Sequence, residues 1–257
     1  MSSYGVYLSG LGALGQSVRV DQIANNLANA NTPGFRRDSV SFRERLVEAL
    51  EDRHDVQYYN AAVHRHGGAP FIDRVSFDQK SGGLEVTRRP LDLALSTPGF
   101  FPVRDLKGGG VYYTRAGNFV MDAAGRLLTA DGRYQAVSGD GRGLAVDPAS
   151  GEEIRVTPEG AVFHGDVEIG RLGVVDFDDS SRLVKRGDNV FENRSGAATA
   201  PAEIRVEQGA LERSSVNPIL EMVEMIKALR SLESNLQMVR YQDAALERTV
   251  NDFGRPK

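Results

Sequence analysis

The stretch Gly109–Val137, GGVYYTRAGNFVMDAAGRLLTADGRYQAV, decides the fold class. Val111–Thr114, Asn118–Met121 and Arg126–Thr129 are short runs of aliphatic, aromatic and β-branched residues, punctuated by RAGN, DAAG and ADGR. Runs of that kind, bounded by Gly, Asp and Asn, predict strands joined by tight turns. The same rhythm continues on both sides, at Leu91–Leu95, Phe100–Val103, Glu153–Val156, Ala161–Phe163, Val167–Phe177 and Glu203–Val206. No helical periodicity separates these runs, so antiparallel pairing is expected rather than a parallel α/β sheet.

The two ends read differently. Tyr4, Tyr7, Leu11, Leu14 and Val18 alternate at spacings of three and four, and Val20, Ile23, Leu27 and Ala30 carry a shifted seam onward. That is a heptad pattern, and Pro33 and Gly34 end it. At the other end Met222, Met225, Leu229, Leu232, Leu236, Val239, Asp243, Leu246, Val250 and Phe253 keep the same alternation. Ser214, Ser215 and Asn217 are candidate caps, Pro218 suits a first helical turn and Glu221 a helix N-terminus. The expected fold is therefore α+β, with long N- and C-terminal heptad helices forming a helical domain beside a central antiparallel β-rich domain. Residues 1–35 with 212–257 would make the helical part, 36–78 a connecting segment and 79–211 the β part. A short helix is expected around Phe42–Leu50 within the connector. The heptads admit two readings, a hairpin within one molecule and packing against neighbouring copies.

The composition narrows the function classes. Of 257 residues, 40% are hydrophobic and 26% charged, which is ordinary for a globular chain. A formal net charge of −4 argues against a nucleic-acid binder. With no cysteine there are no disulfides, thiol nucleophiles or thiolate metal sites. No run approaches the roughly 20 apolar residues that span a bilayer, and the start MSSYGVYLSG lacks the basic region of a secretory signal.

Candidate chemistry is sparse. GLGALG, Gly10–Gly15, has the spacing of a dinucleotide fingerprint, but Leu11, Leu14 and Val18 sit on the helical seam and no βαβ unit follows. Small residues that let helices approach closely are the better reading. His54, His64 and His66 gather near Asp52 and Asp55 and could hold a metal, although Arg53, Arg65, Gly67 and Gly68 fit a solvated loop equally well. His164 reads as structural. Asp122, Asp131, Asp140, Asp178 and Asp179 lack the alternation of a calcium loop and suit hairpin turns. No serine lies in a G-x-S-x-G elbow. The chain is expected to be neither an enzyme nor a cofactor binder.

A puzzle remains in ANNLANANTPGF, Ala24–Phe35, where Asn25, Asn26, Asn29 and Asn31 crowd a helix end although asparagine is a mediocre helix former. The longer segment IANNLANANTPGFRRD, Ile23–Asp38, resembles the N-terminal signature of bacterial flagellar rod and hook proteins. Three further segments resemble the same family in the same order: RPLDLALSTPGFFPVRD with YYTRAGNFVMDAAGRLLTADGRYQ, then GRLGVVDFDDSSRLVKRGDNVF, then QGALERSSVNPILEMVEMI. Two positions depart from the family pattern, Thr97-Pro98-Gly99-Phe100-Phe101 and Ser215.

The resemblance implies a structural subunit of the flagellar basal-body rod, exported by the flagellar type III apparatus without a cleavable signal. It implies terminal helices that polymerise, a β part forming an outer layer, and transmission of torque from motor to hook across the periplasm. Partners would be copies of the chain, other axial proteins and the export apparatus, with no nucleic acid and no membrane insertion. NTPGFRR and VNP resemble a proximal more than a distal rod subunit; a distal or hook-type subunit, a non-polymerising assembly adaptor and a metal-dependent enzyme are the competing readings. The residues expected to carry self-assembly are Leu11, Leu14, Val18, Asn25, Asn26, Leu27, Asn29, Thr32, Pro33, Gly34 and Phe35, with Met225, Leu229, Leu232, Leu236, Val239, Leu246 and Val250. The amides are expected to pair with neighbouring helices or with the chain leaving the turn, because a buried amide penalises wrong registers.

Overall fold

The computed structural model describes residues 3–44, 70–78, 80–146, 152–177, 183–194 and 204–253. Among the described residues two helices flank, in sequence, a central antiparallel β-rich region, an α+β arrangement. The chain divides into two compact units, one of Met1–Ala28, Asp38–Phe77 and Asn217–Lys257, the other of Asn29–Arg37 and Asp78–Val216.

In the first unit, α1 (Ser3–Ala28) packs antiparallel on α2 (Pro218–Phe253). The start of α2 is capped as the sequence suggests: Asn217 Oδ1 accepts from the backbone N–H of Ile219 at 3.1 Å and of Leu220 at 3.3 Å, with Pro218 first in the helix. Its 36 residues extend about 54 Å at 1.5 Å per residue. Helix α1 is built less favourably, since Gly5, Gly10, Gly12 and Gly15 each cost roughly 1 kcal/mol against alanine. Two of them serve close approach to α2. A Cβ on Gly12 would lie 3.3 Å from Asn235 Nδ2, and one on Gly5 3.0 Å from Gln242 Nε2. Gly10 opens on nothing within 4 Å. The G-x-G-x-x-G spacing thus lies inside a helix rather than in a strand-to-helix turn.

The same close approach turns half of the expected apolar stripe outward. On α2, Glu221 and Ala228 are buried and Met225, Leu232, Asn235, Val239, Gln242 and Leu246 half-buried. Met222, Leu229, Leu236 and Asp243 are exposed. Facing glycines leave room for amides and alanine in the seam, and the larger side chains one residue on point to solvent.

The first unit also holds a two-stranded ribbon, β1 (Asp38–Glu44) paired antiparallel with β2 (Pro70–Phe77) and bulged between Ser41 and Phe42. The helix expected at Phe42–Leu50 is therefore a strand over Phe42–Glu44, and residues 45–50 fall outside the described residues. Pairing with a segment some 30 residues on sets the strand at Phe42–Glu44.

The second unit is the β unit. Its strands are β3 (Leu84–Val86), β4 (Leu93–Leu95), β5 (Phe101–Asp105), β6 (Val111–Thr114), β7 (Phe119–Met121), β8 (Leu127–Thr129) and β9 (Tyr134–Ala136), then β10 (Ile154–Val156), β11 (Ala161–His164), β12 (Val167–Arg171), β13 (Leu183–Gly187), β14 (Val190–Asn193), β15 (Val206–Gln208) and β16 (Ala210–Glu212). Seven form one sheet in the order β13-β14-β6-β5-β9-β8-β7, with every neighbour antiparallel. A second sheet runs β10-β11-β12, and β15 pairs with β4 and β16 with β3. DAAG and ADGR close the hairpins β7–β8 and β8–β9 as expected. RAGN does not: β6 pairs with β5 and β14, so the chain crosses the sheet after Thr114. There the Arg115 guanidinium is buried, and Gly117 O accepts from Leu93 N–H at 2.9 Å. The core gathers Leu93, Leu95, Phe101, Val103, Phe119, Leu127, Val162, Leu172 and Val190, with Phe101 edge-on to Phe119 at 5.5 Å.

Candidate assembly site

Residues 33–37 thread through the β unit as a strap. Gly34 N–H donates to Glu212 O at 2.8 Å, and Ser215 N–H donates to Phe35 O at 3.0 Å. Arg37 N–H donates to Ser215 Oγ at 2.8 Å, and Asp78 N–H to Arg37 O at 2.8 Å. Side chains complete the hold: Asn189 Nδ2 donates to Pro33 O at 2.8 Å, and Lys185 Nζ donates to Arg36 O while lying 3.9 Å above the Phe35 ring. Gly34 is required here. Its φ is +65°, and a Cβ would come within 2.5 Å of the Arg115 backbone carbonyl.

Under the strap lies a buried charge cluster. Arg36, Arg115 and Glu212 are 5%, 3% and 2% exposed. Arg36 Nη2 meets Glu212 Oε1 at 3.0 Å, and Arg115 Nε binds Glu212 Oε2. Glu212 Oε1 also accepts from Ser81 Oγ at 2.7 Å and Gly82 N–H at 3.1 Å. Burial pushes the Arg36 guanidinium below its ordinary value, with Glu212 opposing and Arg115 adding to the shift. None of Arg36, Arg115 and Glu212 stands out in the sequence as a site residue. Buried charge has no periodicity, and only the pairing of segments far apart in the chain reveals it.

The other candidate residues sit in the helical unit or at the turn between α1 and the strap. Asn26 is fully buried; its Nδ2 donates to Asp38 O at 3.0 Å and its Oδ1 accepts from Asp38 N–H at 2.9 Å. Glu221 Oε2 lies 3.4 Å from the same Nδ2, and Gln22 Nε2 also donates to Asp38 O. Asn29 Oδ1 accepts from Thr32 Oγ1 at 3.1 Å inside the turn that ends α1. Asn25 is exposed, Leu11, Val18 and Leu27 are half-buried, and Leu14 is exposed. Met225, Leu232, Val239 and Leu246 face inward, whereas Leu229 and Leu236 are each 45% exposed. Val250 lies in α2.

No cluster of metal-ligating side chains occurs among the described residues; His54, His64 and His66 with Asp52 and Asp55 fall outside them. His164 is buried in β11. Asp122, Asp131 and Asp140 accept backbone N–H groups within their own turns, from Arg126 at 2.8 Å, Arg133 at 3.2 Å and Arg142 at 3.3 Å. They serve turn geometry; Asp178 and Asp179 lie outside the described residues. Among the described residues no helix is long and apolar enough to cross a membrane.

Three family descriptions match the chain in order. Residues 9–36 match "Flagella basal body rod protein", residues 94–177 "Flagellar hook protein FlgE/F/G D1 domain" and residues 207–252 "Flagellar basal body rod FlgEFG protein C-terminal". The flagellar basal-body rod protein FlgF of Caulobacter vibrioides is 33% identical over 225 residues, covering 86% of this chain and 85% of that protein. FlgG of Bacillus subtilis is 29% identical over 255 residues, covering 91% and 92%, and FlgG of Caulobacter vibrioides 30% over 258 residues, covering 93% and 95%.

Proposed function

The chain belongs to the flagellar basal-body rod proteins, and from that premise we propose how it assembles: it leaves the cytoplasm through the flagellar type III export apparatus and polymerises through its terminal helices. It is a structural subunit of the rod. Residues 1–35 with 212–257 serve assembly, 36–78 connect, and 79–211 form an outer layer; the assembled rod carries torque across the periplasm. NTPGFRR and VNP favour a proximal position over a distal one. Its partners are its own copies and other axial proteins, and it carries no catalytic centre.

The single observation that carries polymerisation is the apolar side of α2. Ile219, Leu220, Met222, Ile226, Leu229, Leu236 and Tyr241 are all exposed in the single chain. A helix that leaves this many large apolar groups in water has a partner to gain, at roughly 1.5–3 kcal/mol for each one fully buried. In this reading the heptad register belongs to two contacts: Met225, Leu232, Val239 and Leu246 serve the internal one, Leu229 and Leu236 the one with neighbours. Electron microscopy of isolated basal bodies carrying a tagged chain tests the proposal. Label along the rod is expected; label confined to the export gate or the cytoplasm would favour an adaptor instead.

A further inference from the structure

The two buried arginines around Glu212 are held unequally. Arg115 has three backbone partners besides the carboxylate: Leu95 O at 2.9 Å, Thr97 O at 2.8 Å and Gly99 O. Those carbonyls belong to the end of β4 and the loop that follows it, so Arg115 is anchored in the β unit with or without Glu212. Among the described residues Arg36 has one, Lys80 O. Its Nε finds no hydrogen-bond partner among the described residues although the side chain is 6% exposed. A buried guanidinium with an orphaned N–H depends on its counter-charge.

We propose that Glu212 is a positioning residue whose carboxylate seats the 33–37 strap through Arg36, so that the strap is a separable latch rather than an integral part of the β core. When the carboxylate is lost, Arg36 leaves and Arg115 stays. The strap's remaining bonds all run to its backbone: Asn189, Lys185, Ser215 N–H and Asp78 N–H donate to its carbonyls, and its Gly34 and Arg37 N–H groups donate to the Glu212 backbone O and Ser215 Oγ. Each contributes only about 0.5–1.5 kcal/mol net in its place. The pocket thereby has a defined occupant, the sequence Pro33-Gly34-Phe35-Arg36-Arg37, and its seating sets where the chain enters and leaves the β unit. The purpose of such a latch rests on the rod reading, since a torque-bearing subunit needs a fixed exit. The latch itself is tested on the dilute full-length chain, where rod function plays no part, and its failure would leave that reading untouched.

Limited trypsin digestion with mass analysis follows cleavage after Arg36, which is protected while the residue is buried. Near-ultraviolet circular dichroism reads the fold of the β unit through pairs such as Tyr112 and Tyr134, 5.6 Å apart. Glu212→Gln is expected to speed cleavage after Arg36 by about a hundredfold with the near-ultraviolet signal kept, as for other broken buried ion pairs. Protection unchanged in a folded Glu212→Gln chain overturns the proposal. Should that variant lose its near-ultraviolet signal, Ser81→Ala decides, because it removes only the 2.7 Å hydrogen bond to Glu212. Faster cleavage with the signal kept supports the latch; unchanged cleavage, or cleavage and unfolding together, overturns it.

Discussion

Asn26 reads both backbone groups of Asp38 with the two ends of one amide, donating to its carbonyl at 3.0 Å and accepting from its N–H at 2.9 Å. A side chain here does what a neighbouring strand would do, and it ties the end of α1 to the first residue of β1. The asparagines that look like a defect in a helix thus include one intramolecular connector.

Replacing Asn26 by Leu removes this partner from both Asp38 groups, although Gln22 still donates to the carbonyl. Losing such a hydrogen bond to a part-buried group costs about 1–3 kcal/mol. Urea unfolding followed by far-ultraviolet circular dichroism is expected to show a loss in that range. A change under about 0.5 kcal/mol would mean that water replaces the amide.

Leu229→Ser with Leu236→Ser separates folding from assembly. Both side chains are half in water in the single chain, so the monomer's stability should move by no more than about 0.5 kcal/mol per site. Incorporation into basal bodies and swimming should fall sharply. Ala228→Leu, in the buried seam, is expected to do the reverse first, destabilising the free chain by about 1–3 kcal/mol through overpacking.

Gly34→Ala combines two penalties. The left-handed backbone at φ +65° costs a side chain roughly 1–2 kcal/mol, and the new methyl would press on the Arg115 carbonyl. Thermal unfolding of the variant should show a loss beyond the backbone figure alone; a loss confined to that figure would show that the strap yields locally.

Free termini should open more readily than the β unit. The α1–α2 seam sets Gly5 and Gly12 against Gln242 and Asn235, beside Met225, Leu232, Val239 and Leu246 that stay only half-buried, and burying glycines and amides stabilises far less than burying leucines. Dilute chain treated with protease is expected to lose its ends first and keep a β-unit fragment. Equal resistance at both ends would count against ordering on assembly.

Acid should weaken the β unit in a defined direction. The Arg126 backbone N–H holds the Asp122 carboxyl below the usual carboxylate range, aided by the Arg126 side chain. Because its folded pKa is depressed, its contribution is complete above about pH 4, the ordinary aspartate value. That contribution is lost as pH falls through the lower folded value. Asp122→Asn should flatten the decline of the melting temperature below pH 4, measured as a difference from the parent chain.

Much of this molecule is legible in its sequence. Asn217, Pro218 and Glu221 announce α2 because capping chemistry is local, and the DAAG and ADGR hairpins follow from turn residues for the same reason. RAGN misleads because the segment after Thr114 is held by partners distant in the chain, Arg115 by Leu95 O and Thr97 O and Gly117 O by Leu93 N–H. The strand at Phe42 hides because its partner lies in β2, across a long sequence gap.

By itself the sequence determined the α+β class, the two long helices, the turn chemistry and the family, since each rests on short-range spacing or on matching residues in order. Only the tertiary structure decided which half of the α2 stripe faces α1, where Asn26 spends its amide, and that Glu212 gathers Arg36 and Arg115. These depend on how closely two backbones approach and on where a buried charge finds its partner. Both are properties of residues brought together from distant parts of the chain, and neither leaves a period in the sequence.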